Sequence, residues 1–125
     1  LQLLLKINLI GDLKMANGIL GSADLSAATY TAIYLVPVTT FSVATVSICN
    51  KNATSITVRL AIAKTDATGA LLPAADDYLE YETEILSNGV LERTGVVIDA
   101  SRQIYARSSA ANTAVMVYGL ETATT

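Results

Sequence analysis

Residues 43–63, VATVSICNKNATSITVRLAIA, decide how this chain is read. Up to Asn50 the period is two: Ala44, Val46 and Ile48 fall on one side, Thr45, Ser47 and Cys49 on the other. Alternation of this kind marks a half-buried β-strand. Asn50-Lys51-Asn52-Ala53-Thr54 supplies turn residues, and the alternation resumes with Ile56, Val58, Leu60 and Ile62 against Thr57, Arg59, Ala61 and Ala63. Two such runs around a short polar turn predict an antiparallel hairpin over 41–50 and 55–64.

The same period extends outward. Residues 29–36 (TYTAIYLV) alternate with apolar groups on both sides, which predicts a strand covered on both faces and ended by Pro37. Residues 78–86 place Leu79, Tyr81, Thr83 and Ile85 opposite Tyr78, Glu80, Glu82 and Glu84. Ser87-Asn88-Gly89 reads as a hairpin turn into 90–98. Residues 103–108 and 113–120 read as a last pair. Residues 16–28, with Gly18, Gly21, Asn17 and Asp24, carry loop chemistry, as does 65–77 with Gly69 and Pro73. The expectation is all-β: an antiparallel β-sandwich of about seven to eight strands, immunoglobulin-like or jelly-roll, with an N-terminal arm. Its expected organisation is an arm or leader over 1–15, a sandwich domain over 16–121 and a frayed tail over 122–125.

At 125 residues the chain makes one domain, large enough to fold without a disulfide or metal staple. Cys49 is the only cysteine, so no intrachain bridge exists. A net charge of −3, with eight scattered Lys and Arg, offers no basic field for nucleic acid or an anionic membrane. Yet 52% of the residues are hydrophobic, only 15% are charged, and the mean hydropathy is +0.48. No segment accounts for this as a membrane span. The most apolar stretch, residues 3–10, is interrupted by Lys6 and Asn8 and is far shorter than the ~20 residues a span needs. It also lacks the features of a secretory signal. The expectation is therefore that apolar surface is buried against copies of the chain or against partners.

Residues 1–14, LQLLLKINLIGDLK, differ from the Ala-, Thr- and Val-rich body, and Met15 follows them. They read either as leader sequence or as an arm that docks on a neighbour. The candidate interface residues are Leu3, Leu4, Leu5, Ile7, Leu9 and Ile10 in this segment, with Tyr30 and Tyr34 in the body.

Candidate chemistry fails on residue types. Histidine is absent, which removes the commonest general base and metal ligand. Cys49 has no histidine to activate it and reads as a small buried residue. No Gly-x-Ser-x-Gly elbow occurs. Asp76, Asp77, Glu80, Glu82 and Glu84 form the densest charge cluster, but their spacing matches no calcium loop; on a strand the three glutamates make one solvated face, and the cluster reads as that or as an electrostatic contact to a partner. Without tryptophan, a paired-carboxylate glycosidase lacks its usual aromatic cleft. Asn52-Ala53-Thr54 fits the N-glycosylation pattern but reads as turn chemistry. Glu92 and Arg93 suit an exposed sheet edge or an ion pair between subunits, and Arg59, Arg102 and Arg107 raise the same question. No catalytic, metal-binding or cofactor-binding residue is assigned, and no cofactor is expected.

Residues 43–63, 79–100 (LEYETEILSNGVLERTGVVIDA) and 104–121 (IYARSSAANTAVMVYGLE), with 15–27 (MANGILGSADLSA), resemble a group of small virion structural proteins of tailed bacteriophages. The most specific pieces are ICNKNATSITVRLA (48–61) and SNGVLERTG (87–95). The resemblance spans about residues 15–121 and leaves 1–14 uncovered. It implies an oligomeric β-sandwich subunit on the capsid surface or in the tail. A capsid decoration, or cement, subunit would sit over capsomer junctions, often as a homotrimer, with the major capsid protein or other virion proteins as partners. It carries over no active-site residue.

Overall fold

The structure, a computed structural model, describes residues 16–64 and 72–124. Among them are eight strands and no helix: β1 (Asn17–Leu25), β2 (Thr31–Leu35), β3 (Thr40–Asn50), β4 (Ile56–Ala63), β5 (Tyr78–Ile85), β6 (Val90–Ile98), β7 (Gln103–Ser108) and β8 (Thr113–Ala123). They form two antiparallel four-stranded sheets, a front sheet in the order β1-β8-β3-β6 and a back sheet in the order β2-β7-β4-β5. The pairs β1–β8, β2–β7, β3–β6 and β4–β5 are those of one long hairpin, rolled up so that β3–β8 and β4–β7 also join. The all-β sandwich expected from alternation is present. Its strand order is that of a jelly roll rather than an immunoglobulin fold.

The expected hairpins are overturned. β3 lies in the front sheet and β4 in the back, so 41–50 and 55–64 face each other instead of pairing. The same holds for β5 with β6 and for β7 with β8. Among consecutive strands only β4 and β5 pair. Alternation and turn residues show that the chain reverses, but they do not show whether it reverses within a sheet or across the sandwich. Inward side chains such as Val46, Ile48, Val58 and Leu60 are buried in either arrangement.

Buried polar groups hold the crossings in place. Asn50, fully buried at the end of β3, donates through Nδ2 to the carbonyls of Thr54 (2.9 Å), Ile85 (3.1 Å) and Leu86 (3.1 Å). Its Oδ1 accepts from the backbone and side-chain nitrogens of Asn52 at 2.9 and 3.0 Å. One side chain thereby ties the β3–β4 turn to the β5–β6 connection. Gly89 N–H donates to Leu86 at 2.8 Å, so residues 86–89 do form a tight turn, but one that carries the chain between sheets.

Several expectations are corrected at the edges. Residues 17–25 form a strand, not a loop, and pair with β8 along their length. Gly21 had suggested a loop. A Cβ there would lie 2.2 Å from the Ile33 carbonyl oxygen, so glycine lets the edges of the two sheets meet. β2 is an edge strand rather than one covered on both sides; a bulge at Ile33 turns both Ile33 and Tyr34 inward while Ala32 and Leu35 stay exposed. β8 continues past the expected frayed end: Thr122 and Ala123 pair with Phe41 and Thr40. Glu121 accepts hydrogen bonds from the Tyr34 hydroxyl and from the Ala16 N–H (2.9 Å). The arm expected over 1–15 and most of the expected loop, residues 65–71, lie outside the described residues.

Candidate functional site

The densest constellation of polar and aromatic side chains lies on the outer face of the back sheet. Arg59 in β4 and Arg107 in β7 occupy directly opposed register positions on the two central strands. Like charges placed this way repel. Arg59 is compensated: its Nε donates to Glu82 Oε1 at 3.1 Å, its Nη2 binds the same oxygen, and its Nη1 donates to the Tyr30 hydroxyl at 2.9 Å. Its guanidinium carbon lies 4.4 Å from the centroid of the Tyr81 ring. Arg107 sits 5.9 Å from the centroid of Tyr30 and has no carboxylate partner among the described residues.

A backbone irregularity assembles this cluster. Val58 pairs with Thr83 and Leu60 with Glu80, so Tyr81 and Glu82 together face the single residue Arg59. Glu82 holds a φ of 51°, left-handed for a non-glycine residue. Bulges re-aim side chains, and strained backbone concentrates at sites with a task. Here the bulge breaks the expected solvated row of three glutamates. Tyr81 emerges on the outer face. Glu80 turns toward the edge of the sandwich, where Arg93 Nη1 donates to its Oε2 at 2.8 Å.

The tyrosines form a corner. The rings of Tyr78 and Tyr81 meet edge-to-face, 5.0 Å between centroids and 87° between planes. The hydroxyls of Tyr30 and Tyr78 share a hydrogen bond of 2.5 Å. Burial pushes both phenols up. For Tyr30 the hydrogen bonds from Tyr78 and Arg59 outweigh burial, so its net direction is down. Tyr78, with burial and the Tyr30 bond acting together, is pushed up to about 12. Arg59 holds Glu82 below the usual carboxylate range, with the Thr57 hydroxyl assisting. Beside the corner, Pro73, Ala74, Ala75, Tyr78 and Tyr81 line an open groove. The arrangement can bind; it places no general base beside a nucleophile.

The front sheet is different. In register across β8, β3 and β6, Leu120, Val43 and Val97 form one outward row, and Ile19 and Tyr118 pair in the next. Ile19, Leu120 and Val97 are 65%, 58% and 67% exposed, so this outer face is a band of uncovered apolar side chains. Tyr118 donates to Glu92 at its margin, 3.3 Å. Cys49 faces the same way. It is half-buried rather than buried, and it lines a shallow hollow with Ser47, Ala114 and Met116.

Of the candidate interface residues, Leu3, Leu4, Leu5, Ile7, Leu9 and Ile10 lie outside the described residues. Tyr34 belongs to the core of its own sandwich, where burial and the Glu121 carboxylate raise its phenol. Tyr30 is half-buried in the back-sheet cluster. Asp77 is buried, not solvated: it binds Lys64 and accepts the Ala74 N–H at 2.8 Å. Asn52 Nδ2 is engaged with Asn50 and with the Ala111 carbonyl at 2.9 Å, a structural role for the glycosylation-like triplet. β6 is an edge strand, and Arg93 pairs within the chain. Arg102 pairs with Asp99 at 3.0 Å. The Tyr–Arg cluster was not legible beforehand, because its residues come from four separate segments and its key bulge sits at a glutamate.

Among the described residues, no group of three or more His, Cys, Asp or Glu could hold a metal ion. No family model and no curated protein matches the chain.

Proposed function

We propose that this chain is a non-enzymatic structural subunit of a tailed-bacteriophage particle, acting as a capsid decoration subunit. It stabilises the head by packing the outer face of its front sheet against the shell and against its own copies, as a homotrimer. The observation that carries this reading is the apolar band of Ile19, Val43, Val97, Tyr118 and Leu120 on an otherwise well-formed sandwich. A contiguous uncovered apolar face on a small domain marks an interaction surface. The jelly-roll order fits, since viral shell domains use it, although the fold alone assigns no function. The resemblance of residues 15–121 to phage virion proteins points the same way. The net charge of −3 offers no basic field to draw the chain to nucleic acid or an anionic membrane.

A second reading is a tail, neck or fibre component that contacts the host surface. The Tyr–Arg cluster on the back sheet favours it, because its partly exposed rings and guanidinium groups offer contacts to a ligand. Mass spectrometry of purified heads and tails separates the two. Decoration predicts hundreds of copies per head, the tail reading a few dozen at most, and absence from the particle contradicts both.

A further inference from the structure

We propose that the outer face of the back sheet binds a carbohydrate bearing an isolated carboxylate, with the Tyr78–Tyr81 corner contacting a sugar ring and the Arg107 guanidinium, across Arg59 and Tyr30 on the same face, taking the carboxylate. The inference is independent of the packing reading, because it uses the opposite face of the sandwich.

Three observations carry it. Arg107 is held beside the Tyr30 ring and directly opposite a second arginine; it makes no ion pair among the described residues, and Glu82, near enough to feel its charge, is already bound by Arg59. A cation kept in a repulsive position is one available to an incoming anion, and guanidinium binds carboxylate bidentately. Tyr81 is 58% exposed although Arg59 covers one ring face and Tyr78 meets it edge-to-face. The bulge at Glu82 costs backbone strain to keep Tyr81 there. The groove beside the two rings is lined by the small residues Ala74 and Ala75 and by Pro73, which leaves room at the ring faces. Flat aromatic surface beside a few fixed polar groups suits a pyranose, whose C–H faces stack and whose hydroxyls bond.

Charge narrows the ligand further. Glu82 and Glu84 lie on the same strand facing the same surface, and Asp76 flanks the groove. These carboxylates repel a polyanion such as nucleic acid or a densely sulfated chain. One guanidinium among them suits a saccharide with a single carboxylate on every second sugar or at its end.

The test is titration calorimetry of the full chain with sialyllactose and a hyaluronan tetrasaccharide, against lactose and chitotetraose as neutral counterparts, a heparin fragment as the polyanion and a glutamate-rich peptide as the protein-like anion. The expected result is binding of at least one carboxylated sugar at least tenfold tighter than its neutral counterpart, weakened at least tenfold in both Arg107→Gln and Tyr81→Ala. Circular dichroism and thermal melts confirm that both variants fold. No binding to either carboxylated sugar overturns the proposal. So does binding that Arg107→Gln leaves unchanged, or preference for the heparin fragment. Tight binding of an acidic peptide with none of a sugar also overturns it and makes the face a protein-docking surface.

Discussion

Arg59 and Arg107 face each other across β4 and β7, and of the two only Arg59 meets a carboxylate among the described residues. Directly opposed like charges destabilise a sheet by a few tenths of a kcal/mol to about 1 kcal/mol. Arg107→Gln is therefore expected to leave stability unchanged or raise it by up to about 0.5 kcal/mol. Arg59→Gln is expected to destabilise, because Glu82 loses its partner at a strained φ and Tyr30 loses a donor. Urea midpoints of the two variants check the opposite signs.

Asn50 is the joint of the roll. Asn50→Ala removes five hydrogen bonds at a buried site; the Leu86 carbonyl keeps the Gly89 N–H and Asn52 Nδ2 keeps the Ala111 carbonyl, and the expected cost is about 2–3 kcal/mol. Asn50→Asp is nearly isosteric but is expected to be no better, since it replaces the donating amide with an anion facing carbonyl oxygens. Chemical denaturation of both variants tests this; a loss below about 0.5 kcal/mol in each contradicts the role.

Two glycines mark close approaches that no side chain can enter. A Cβ at Gly119 would lie 2.1 Å from the Val43 oxygen, and one at Gly21 would lie 2.2 Å from the Ile33 oxygen. Backbone atoms cannot step aside, so Gly119→Ala and Gly21→Ala are each expected to cost at least 1–3 kcal/mol, roughly the range for overpacking. Gly95, at φ 66° in the β6 bulge, has open space around it, and Gly95→Asn is expected to cost less than about 1 kcal/mol. Thermal melts rank the three.

Asp77 sets an acid dependence. Burial alone would raise its pKa, but the Lys64 ammonium and the Ala74 N–H outweigh burial and hold it below the ordinary aspartate range. A carboxyl depressed in the folded state contributes stability that is fully present above its unfolded value, near 3.9, and is lost as pH falls through the folded one. Wild type is therefore expected to lose stability between about pH 4 and pH 2, and Asp77→Asn to lose less over that window while being weaker at pH 7. Urea midpoints at pH 7, 4 and 2.5 decide it.

Strand positions and facing were legible where alternation was clean, as in Val46, Ile48, Val58 and Leu60, because burial of one face imposes a period of two. Topology was not legible. The residues that send the chain across the sandwich, Asn50 foremost, look like ordinary turn formers in sequence. β1 was hidden because Gly21 serves a close approach, not a loop. The Tyr–Arg cluster was hidden because one left-handed glutamate shifts the register of β5, and period-two reading assumes no such shift. The absence of histidine, by contrast, was a fact of composition and needed no structure.

The central claim is that the front sheet's outer face exists to be covered. Sedimentation equilibrium of the full chain at micromolar concentration tests it most directly, with Val43→Lys and Leu120→Lys as variants whose side chains point out of the fold. The expected result is a trimer for wild type and a folded monomer, by circular dichroism, for the double variant. A wild-type chain that stays monomeric at hundreds of micromolar, or a double variant that assembles as wild type does, would contradict it.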